Sequence, residues 1–487
     1  MRRTKIVATL GPATDNPAIL RRALAAGVDV VRLNFSHGTA ADHLGRAEAV
    51  RAAAGVLGKD VGILCDLQGP KIRTESFAEG PVELVEGNRF TLDTALDPKA
   101  GTVEVVGCAY KDLPKDVKAG DTLLLNDGAL ALRVTRVDGT RVETTVTVGG
   151  TLSNRKGINR QGGGLSAAAL TDKDKADIVH ATSLGADFIA VSFPRDAADM
   201  EEAKKLVRDA GGHANLIAKI ERAEALKNLE SIIAVSDGVM VARGDLGVEI
   251  GDAELPGWQK RIIAAARERN SFIITATQMM ESMITSPIPT RAEVLDVANA
   301  VMDGTDAVML SAETASGKYP VKVVEAMARV CVGAENSTHV RPERARRRSE
   351  AHFSRTDEAI AQATMWTADQ MHAKAIIALT ESGTTALMMS RSDTSIPIYA
   401  MTQHERTRRR MALCRNVYPI SFVPTRLDAL TPVRESVECL VQKGLLAFGD
   451  RVLLTKGDFT GSGGTNAMKI VTVGEVPPAE ETGDPPS

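Results

Sequence analysis

Aromatic residues are scarce in this 487-residue chain, at 3% of its length with two Trp and four Tyr. Its cores must therefore be built mainly from Val, Ile, Leu, Met and Ala. Cysteine is scarce too. The five present (Cys65, Cys108, Cys331, Cys414 and Cys439) are odd in number, scattered and without CxxC spacing. That excludes a disulfide framework or a structural zinc site and points to a reducing, cytoplasmic setting. Basic charge is not in excess: 59 Lys and Arg stand against 62 Asp and Glu, a formal net charge of −3. The chain thus carries no electrostatic footprint for nucleic acid. Hydrophobic residues make up 44%, yet no long uncharged apolar run occurs, which excludes a membrane span and leaves a globular protein. The start, MRRTKIVATLGP, has the two arginines of a signal peptide, but its apolar stretch ends at Gly11-Pro12 with no cleavage site after it.

What is present is an alternation. Up to about residue 335, strands are expected at 5–9, 29–33, 62–66, 187–191, 215–219, 238–242, 272–275 and 306–310. Helices are expected between them at 17–26, 41–54, 171–184, 197–210, 226–234, 258–269, 292–302 and 321–334. Thr290-Arg-Ala-Glu293 has the form of a capping box opening one of these. About eight strand–helix units in one region call for a (β/α)8 TIM barrel, not an open sheet. The length allows two to four domains, and the third unit is indeed interrupted. Residues 77–164 hold short runs, such as Thr122-Leu-Leu-Leu125 and Val142-Glu-Thr-Thr-Val146, punctuated by Glu86-Gly87, Asp127-Gly128, Asp138-Gly139 and Gly149-Gly150. This reads as an inserted small β-barrel or sandwich acting as a lid, with hinges at Gly69-Pro70 and Gly162-Gly-Gly164.

A basic stretch at 336–355, including Arg346-Arg-Arg348, reads as a solvated linker more readily than as a nucleic-acid patch. From Thr356 a second α/β pattern places strands at 374–379, 396–401, 417–422, 451–455 and 467–473. The expected order is barrel (1–69), lid (70–168), barrel (169–340), linker (341–355), C-terminal α/β domain (356–474) and a disordered Pro- and Glu-rich tail (475–487).

Barrel enzymes place their chemistry at the C-terminal ends of strands, and the polar residues here gather at those ends. They include Arg32, Asn34, Ser36 and His37, then Asp66 with Gln68, Lys71 and Arg73, then Ser192. Further along come Lys219 and Glu221, Gly244-Asp245, Thr277-Gln278, Ser311 and Glu313. Strand alternation lets Lys219 and Glu221 point the same way while Ile220 faces the packing. An ammonium beside Glu221 and Asp245 suits a divalent ion with a phosphorylated acid. Taken singly, each of these residues is as well read as a helix cap or a structural ion pair. Taken together, on one face, they favour a metal and phosphate site.

Several motifs carry a resemblance: Thr4-Lys-Ile-Val7, Arg32-Leu-Asn-Phe-Ser-His-Gly38, Gly69-Pro-Lys-Ile-Arg73, Lys219-Ile-Glu221 and Met240-Val-Ala-Arg-Gly-Asp-Leu-Gly247. Ala276-Thr-Gln-Met279, Glu281-Ser-Met283 and Leu310-Ser-Ala-Glu-Thr314 continue it in order along nearly the whole chain. The sequence resembles the pyruvate kinases, and Asp66-Leu-Gln-Gly-Pro-Lys71 with Gly162-Gly-Gly-Leu-Ser166 is similar to the bacterial type II branch. The resemblance implies transfer of the phosphoryl group of phosphoenolpyruvate to ADP, giving pyruvate and ATP. It further implies that Glu221 and Asp245 hold Mg²⁺ or Mn²⁺, and that Lys219 and Arg32 face the travelling phosphoryl group. The N–H groups of Gly244 and Asp245 would receive the substrate carboxylate, and Thr277 would help order the proton donor. Asn34, His37, Arg73 and Lys156 would meet the nucleotide phosphates, Lys156 from the lid; for His37 a cap or packing role is an equal reading. Many family members have glutamate where Lys71 stands and bind K⁺ at positions matching Asn34, Ser36, Asp66 and the carbonyl of Leu67. Here the Lys71 ammonium is expected to replace K⁺, so that the ion is not required.

In the C-terminal domain Thr380-Glu-Ser-Gly-Thr-Thr385 opens a helix, and backbone N–H groups there can nest a phosphate. The resemblance makes Thr380, Ser382, Gly383, Thr384 and Thr385 an effector site for a sugar phosphate or nucleotide, with 460–466 folding over it; two ordinary turns are the alternative. It also implies a homotetramer. A metal-dependent aldolase or lyase on the same barrel, and a sensor with an inert barrel, stay open as rivals. Neither needs a lid carrying Lys156, and a sensor does not need Lys219, Glu221 and Asp245 together.

Overall fold

The computed structural model describes residues 1–70, 72–337, 353, 355–457 and 464–475. Three barrel strands come first: β1 (Lys5–Thr9), β2 (Val30–Asn34) and β3 (Gly62–Asp66). Eight short strands follow: β4 (Val82–Leu84), β5 (Arg89–Asp93), β6 (Val105–Gly107), β7 (Thr122–Leu125), β8 (Leu130–Asp138), β9 (Arg141–Val148), β10 (Gly150–Leu152) and β11 (Ile158–Arg160). The barrel resumes with β12 (Phe188–Val191), β13 (Asn215–Ile220), β14 (Gly238–Ala242), β15 (Phe272–Ala276) and β16 (Ala307–Leu310). Its eight strands close in the order β1-β16-β15-β14-β13-β12-β3-β2, every neighbour parallel. Each expected strand lies within one residue of the observed one at either end.

The barrel closes because alternation along each strand serves two cores at once. Val7, Val30, Leu64, Ile217 and Met240 fill one core, while their neighbours Ile6, Val31, Ile63, Ala218 and Val239 belong to the other, packed against the helices. Phe188 and Phe272 meet edge to face at 5.9 Å inside. On the helical layer, Thr290 and Glu293 form the expected capping box. The expected helix at 226–234 is instead two, Ala223–Lys227 and Leu229–Val235, broken at Asn228. The Asn228 side-chain amide donates to the Arg195 carbonyl at 2.9 Å, the kind of backbone bond that draws Asn out of helices.

The lid is a curled six-stranded sheet, β11-β7-β8-β9-β5-β6, with a two-stranded ribbon, β10-β4. Phe90, Leu92, Leu123, Leu132 and Val146 form its core. One buried carboxylate fastens both of its roots. Asp174 accepts the Gly69 N–H at 3.0 Å and the Thr171 N–H at 2.9 Å. Gly69 has φ 67°, and a Cβ there would stand 2.8 Å from the Ser192 Cβ, so this hinge needs glycine.

The C-terminal domain has β17 (Ala375–Leu379), β18 (Ile398–Thr402), β19 (Val417–Ser421), β20 (Arg451–Lys456) and β21 (Ala467–Thr472) in the order β19-β18-β17-β20-β21. All pair in parallel except β21. This domain docks under the N-terminal ends of the barrel strands. Lys5 Nζ donates to the Val417 carbonyl at 2.6 Å, and Arg409 Nε and Arg391 Nη2 reach Asp187 and Asp306 at 2.9 and 2.6 Å. The opposite, C-terminal ends are left facing the lid. The linker expected at 341–355 lies, apart from residues 353 and 355, outside the described residues, as do Lys71 and the tail from 476. The five cysteines are free thiols. Among the described residues no helix is long and apolar enough to cross a membrane.

Candidate active site

Charged side chains converge where β2, β3, β12 and β13 end. Pairing of β2 with β3 sets Asn34 opposite Asp66, and Arg32, two residues back, shares the face of Asn34. Arg32 Nε lies 2.7 Å from Asp66 Oδ2, and its Nη1 is 3.0 Å from Thr9 Oγ1. From β13, Lys219 and Glu221 point the same way, as alternation requires. Lys219 Nζ stands 2.9 Å from Glu221 Oε1, 3.2 Å from Asp66 Oδ1 and 2.7 Å from Ser192 Oγ. The Ser192 hydroxyl accepts from this ammonium and donates to the Leu67 carbonyl at 2.7 Å. Glu221 Oε2 accepts the Phe193 N–H at 3.0 Å.

The charges are uneven. Burial works against the Lys219 ammonium, but Asp66 and Glu221 outweigh it and hold its pKa above the ordinary value. Burial likewise favours neutral Asp66, yet Lys219 and Arg32 hold that carboxyl below its usual range. Glu221 goes the other way: burial drives its pKa up to about 7, Lys219 resisting and the Asp245 charge adding to the rise. The Asp245 charge adds to the rise at Glu221, and a hard divalent cation held by both carboxylates would relieve that repulsion. The all-oxygen donor set suits Mg²⁺ or Mn²⁺. Among the described residues no group of three or more His, Cys, Asp or Glu side chains forms a metal cluster. The remaining ligands of such an ion would be substrate oxygens and water.

Gly244 and Asp245 lie in the first turn of the helix Arg243–Ile250, directly after β14. The Gly244 N–H donates to Thr277 Oγ1 at 2.9 Å. Thr277 follows β15 and has φ 66°, with Gln278 at φ 54°. Glu313, another acid at a strand end, is structural: it is buried and accepts the N–H groups of Ser311 and Met280 at 2.6 and 3.3 Å.

A cleft of about 370 Å³ opens between lid and barrel, with Arg73, Arg155 and Lys156 on the lid side and Arg222, Asp245 and Glu249 on the barrel side. Arg73 and Lys156 are set by antiparallel bonding of their segments: Arg73 bridges Gly157, and Thr74 N–H donates to the Lys156 carbonyl at 2.8 Å. Asn34, the last residue of β2, and His37, in the loop after it, do not line this cleft. Asn34, Ser36, Asp66 and Leu67, matched to a K⁺ site, lie close together, but oxygens of three of them already have partners. Asp66 faces two cations, the Leu67 carbonyl accepts from Ser192, and Asn34 Oδ1 accepts the Ser36 N–H at 3.1 Å.

In the C-terminal domain β17 has β18 on one side and β20 on the other, so the sheet order reverses at the loop after β17. Ligands of open α/β sheets bind at such a point. Thr380 Oγ1 accepts the Gly383 N–H at 2.9 Å, Ser382 and Thr384 hydroxyls pair at 2.9 Å, and Thr385 meets Thr465 across the two loops at 2.8 Å. Residues 460–463 of the second loop lie outside the described residues. Sequence motifs do not single out Arg222 or Glu249. Their part depends on burial and on cleft shape, which no local spacing reports.

A barrel with a lid-like sheet, a cation-lined cleft and a buried lysine beside acids suits an enzyme that handles phosphoryl groups, and the family comparisons give that class its name. Residues 1–324 match the family model for the pyruvate kinase barrel domain, and residues 358–471 that for the pyruvate kinase alpha/beta domain. The chain is 55% identical to pyruvate kinase II of Salmonella typhimurium, over 97% of this chain and 99% of that one. It is 52% identical to a pyruvate kinase of Haemophilus influenzae with the same coverage. A crystal structure of a pyruvate kinase from Cryptosporidium parvum superposes with TM-score 0.90 at 35% identity, covering 97% of this chain and 96% of that one. The chain belongs to the pyruvate kinase family and is a phosphotransferase.

Proposed function

We infer that the mouth of the barrel transfers the phosphoryl group of phosphoenolpyruvate to ADP, with Lys219 as its chemical centre. The observation that carries this reading is the placement of Lys219 Nζ, fixed by Ser192, Asp66 and Glu221 and facing the same carboxylate as Arg32. Arg32 offers a planar fork to the phosphoryl oxygens. Lys219 stabilises the charge that develops as the P–O bond breaks and the electron pair passes to the enolate oxygen. The phosphorus is taken up by a terminal oxygen of ADP, whose phosphates Arg73 and Lys156 receive, with Asn34 and His37 beside them. The Asp245 N–H, and that of Gly244 once it turns from Thr277 Oγ1, orient the substrate carboxylate at a helix start. The Thr277 hydroxyl orders the water that protonates C3 of the enolate, which completes pyruvate. Glu221 and Asp245 would hold Mg²⁺ or Mn²⁺, which when bound neutralises carboxylate and enolate charge. The lid excludes water that would otherwise take the phosphoryl group.

The engaged donors around Asp66 support activity without K⁺. Phosphorylated effectors are assigned to Thr380, Ser382, Gly383, Thr384 and Thr385, supported by the switch-point position of that loop. A homotetramer in the cytoplasm completes the proposal, the location supported by the unpaired cysteines. The test is ATP formation from phosphoenolpyruvate and ADP in sodium-only buffer, with parent and Lys219→Met enzymes. Parent activity changing less than about twofold on adding K⁺, and a Lys219→Met rate down about a thousandfold, support the reading. Large K⁺ activation overturns the first part, and an active Lys219→Met enzyme the second.

A further inference from the structure

We propose that Arg243 is a positioning residue for the proton step, acting through Thr277. The inference rests on the reading of Thr277 given above and adds what holds that residue in place. Thr277 and Gln278 both have left-handed backbone, at φ 66° and 54°. For a β-branched residue such a conformation is strained and persists only where the surroundings impose it. The Arg243 guanidinium supplies that constraint. Its Nε donates to the Ala276 carbonyl at 3.2 Å and its Nη2 to the Thr277 carbonyl at 2.6 Å, so one side chain grips the peptide groups on both sides of Thr277. Nη2 also lies 2.9 Å from Met279 Sδ.

The guanidinium is itself anchored. Nη1 lies 2.6 Å from Asp296 Oδ1, on the helix Arg291–Asp303, and 3.5 Å from Gln259 Oε1. Arg243 is only 8% exposed, so losing one of these acceptors would leave charge buried. The lock is reciprocal. The Arg243 side chain holds the Thr277 backbone, while the Thr277 hydroxyl accepts the N–H of Gly244, the next residue. Two parts of the site are thereby fixed together: the N–H groups assigned to the substrate carboxylate and the hydroxyl assigned to the enolate face. Lysine has no fork to span two carbonyls and an acid at once.

The test follows exchange of the C3 protons of pyruvate with deuterated solvent, in which a C–H bond breaks and a C–D bond forms. Proton NMR measures it on full-length enzyme with Mg²⁺ and ATP. It is run on Thr277→Val, Arg243→Met, Arg243→Lys, Asp296→Asn and the Arg243→Met/Thr277→Val double variant. Mn²⁺ binding is measured beside it. Arg243→Met is expected to slow exchange about 10- to 100-fold with Mn²⁺ affinity kept within threefold, Arg243→Lys to recover part of the loss, and the double variant to be no slower than Thr277→Val. Exchange within twofold of the parent in Arg243→Met overturns the proposal, as does a double variant in which the two losses multiply. If Arg243→Met does not fold, Asp296→Asn decides: about fivefold slower exchange supports the lock and unchanged exchange overturns it. Parent-like exchange in Thr277→Val overturns the lock and the reading beneath it together, whereas a loss there with none in Arg243→Met overturns the lock alone.

Discussion

The two ends of the barrel both bury cations against carboxylates, to opposite effect. At the floor, where the C-terminal domain docks, every acid named here is saturated. Asp306, 0% exposed, receives Arg391 Nη2 at 2.6 Å, the Arg415 N–H at 3.0 Å and the Ile273 N–H at 3.0 Å. Asp187 is held by Arg51 and Arg409, both at 2.9 Å. The cations on these two acids are arginines, whose charge persists and whose fork fills several acceptors. At the mouth, the cation assigned to the chemistry is a lysine, one carboxyl is pushed up to about 7, and Asp245 lines a cleft. Satisfied pairs join domains; an unbalanced set is ready for a ligand.

Removing charge at each end should therefore break different properties. Lys219→Met should lower kcat about a thousandfold or more while KM for phosphoenolpyruvate stays close to the parent's. A normal kcat with only a raised KM contradicts the role given to Lys219. At the floor, Arg391→Met leaves Asp306 buried without its main partner, which costs about 3–5 kcal/mol. The midpoint should drop by several degrees in calorimetry, with kcat/KM near the parent's wherever the enzyme is folded. A variant as stable as the parent would erase the distinction between the two ends.

The hinge gives a smaller effect. Asp174→Asn weakens the carboxylate grip on Gly69 and Thr171, a helix cap worth about 1 kcal/mol, and KM for ADP should rise several-fold with little change in the Mn²⁺ constant. Equal changes in both would place Asp174 outside lid control. The last effect is confined to acid pH and leaves neutral-pH activity alone. Burial would raise the pKa of Asp29, but Arg2, Lys59 and Lys5 hold it at about 2, against 3.8 when unfolded. The stability this gives is present above the unfolded value and lost as pH falls from about 4 through 2. It amounts to about 2 kcal/mol, and Asp29→Asn should flatten that acid limb in chemical denaturation, whereas an unchanged limb refutes the assignment.

The barrel is legible because its strands are buried on both faces and read as apolar runs with polar ends. The lid is less so: β6, β10 and β11 have three residues each, too few to show a period. At the site, the spacing of Lys219 and Glu221 announces their shared face. Local spacing cannot announce that Asp66, which reads as a K⁺ ligand, lies between Arg32 and Lys219, because those partners are 34 and 153 residues away. The left-handed Thr277 is invisible for a different reason. Nothing in Ala276-Thr-Gln-Met279 asks for positive φ; the Arg243 side chain imposes it.

The unbalanced acids at the mouth are the centre of the account, and Mn²⁺ titration followed by electron paramagnetic resonance tests them most directly. The parent and Lys219→Met enzymes should bind one ion per chain in the presence of phosphoenolpyruvate, and Glu221→Gln should lose at least tenfold in affinity. Mn²⁺ binding unchanged in Glu221→Gln would contradict the claim that Glu221 and Asp245 form the metal site.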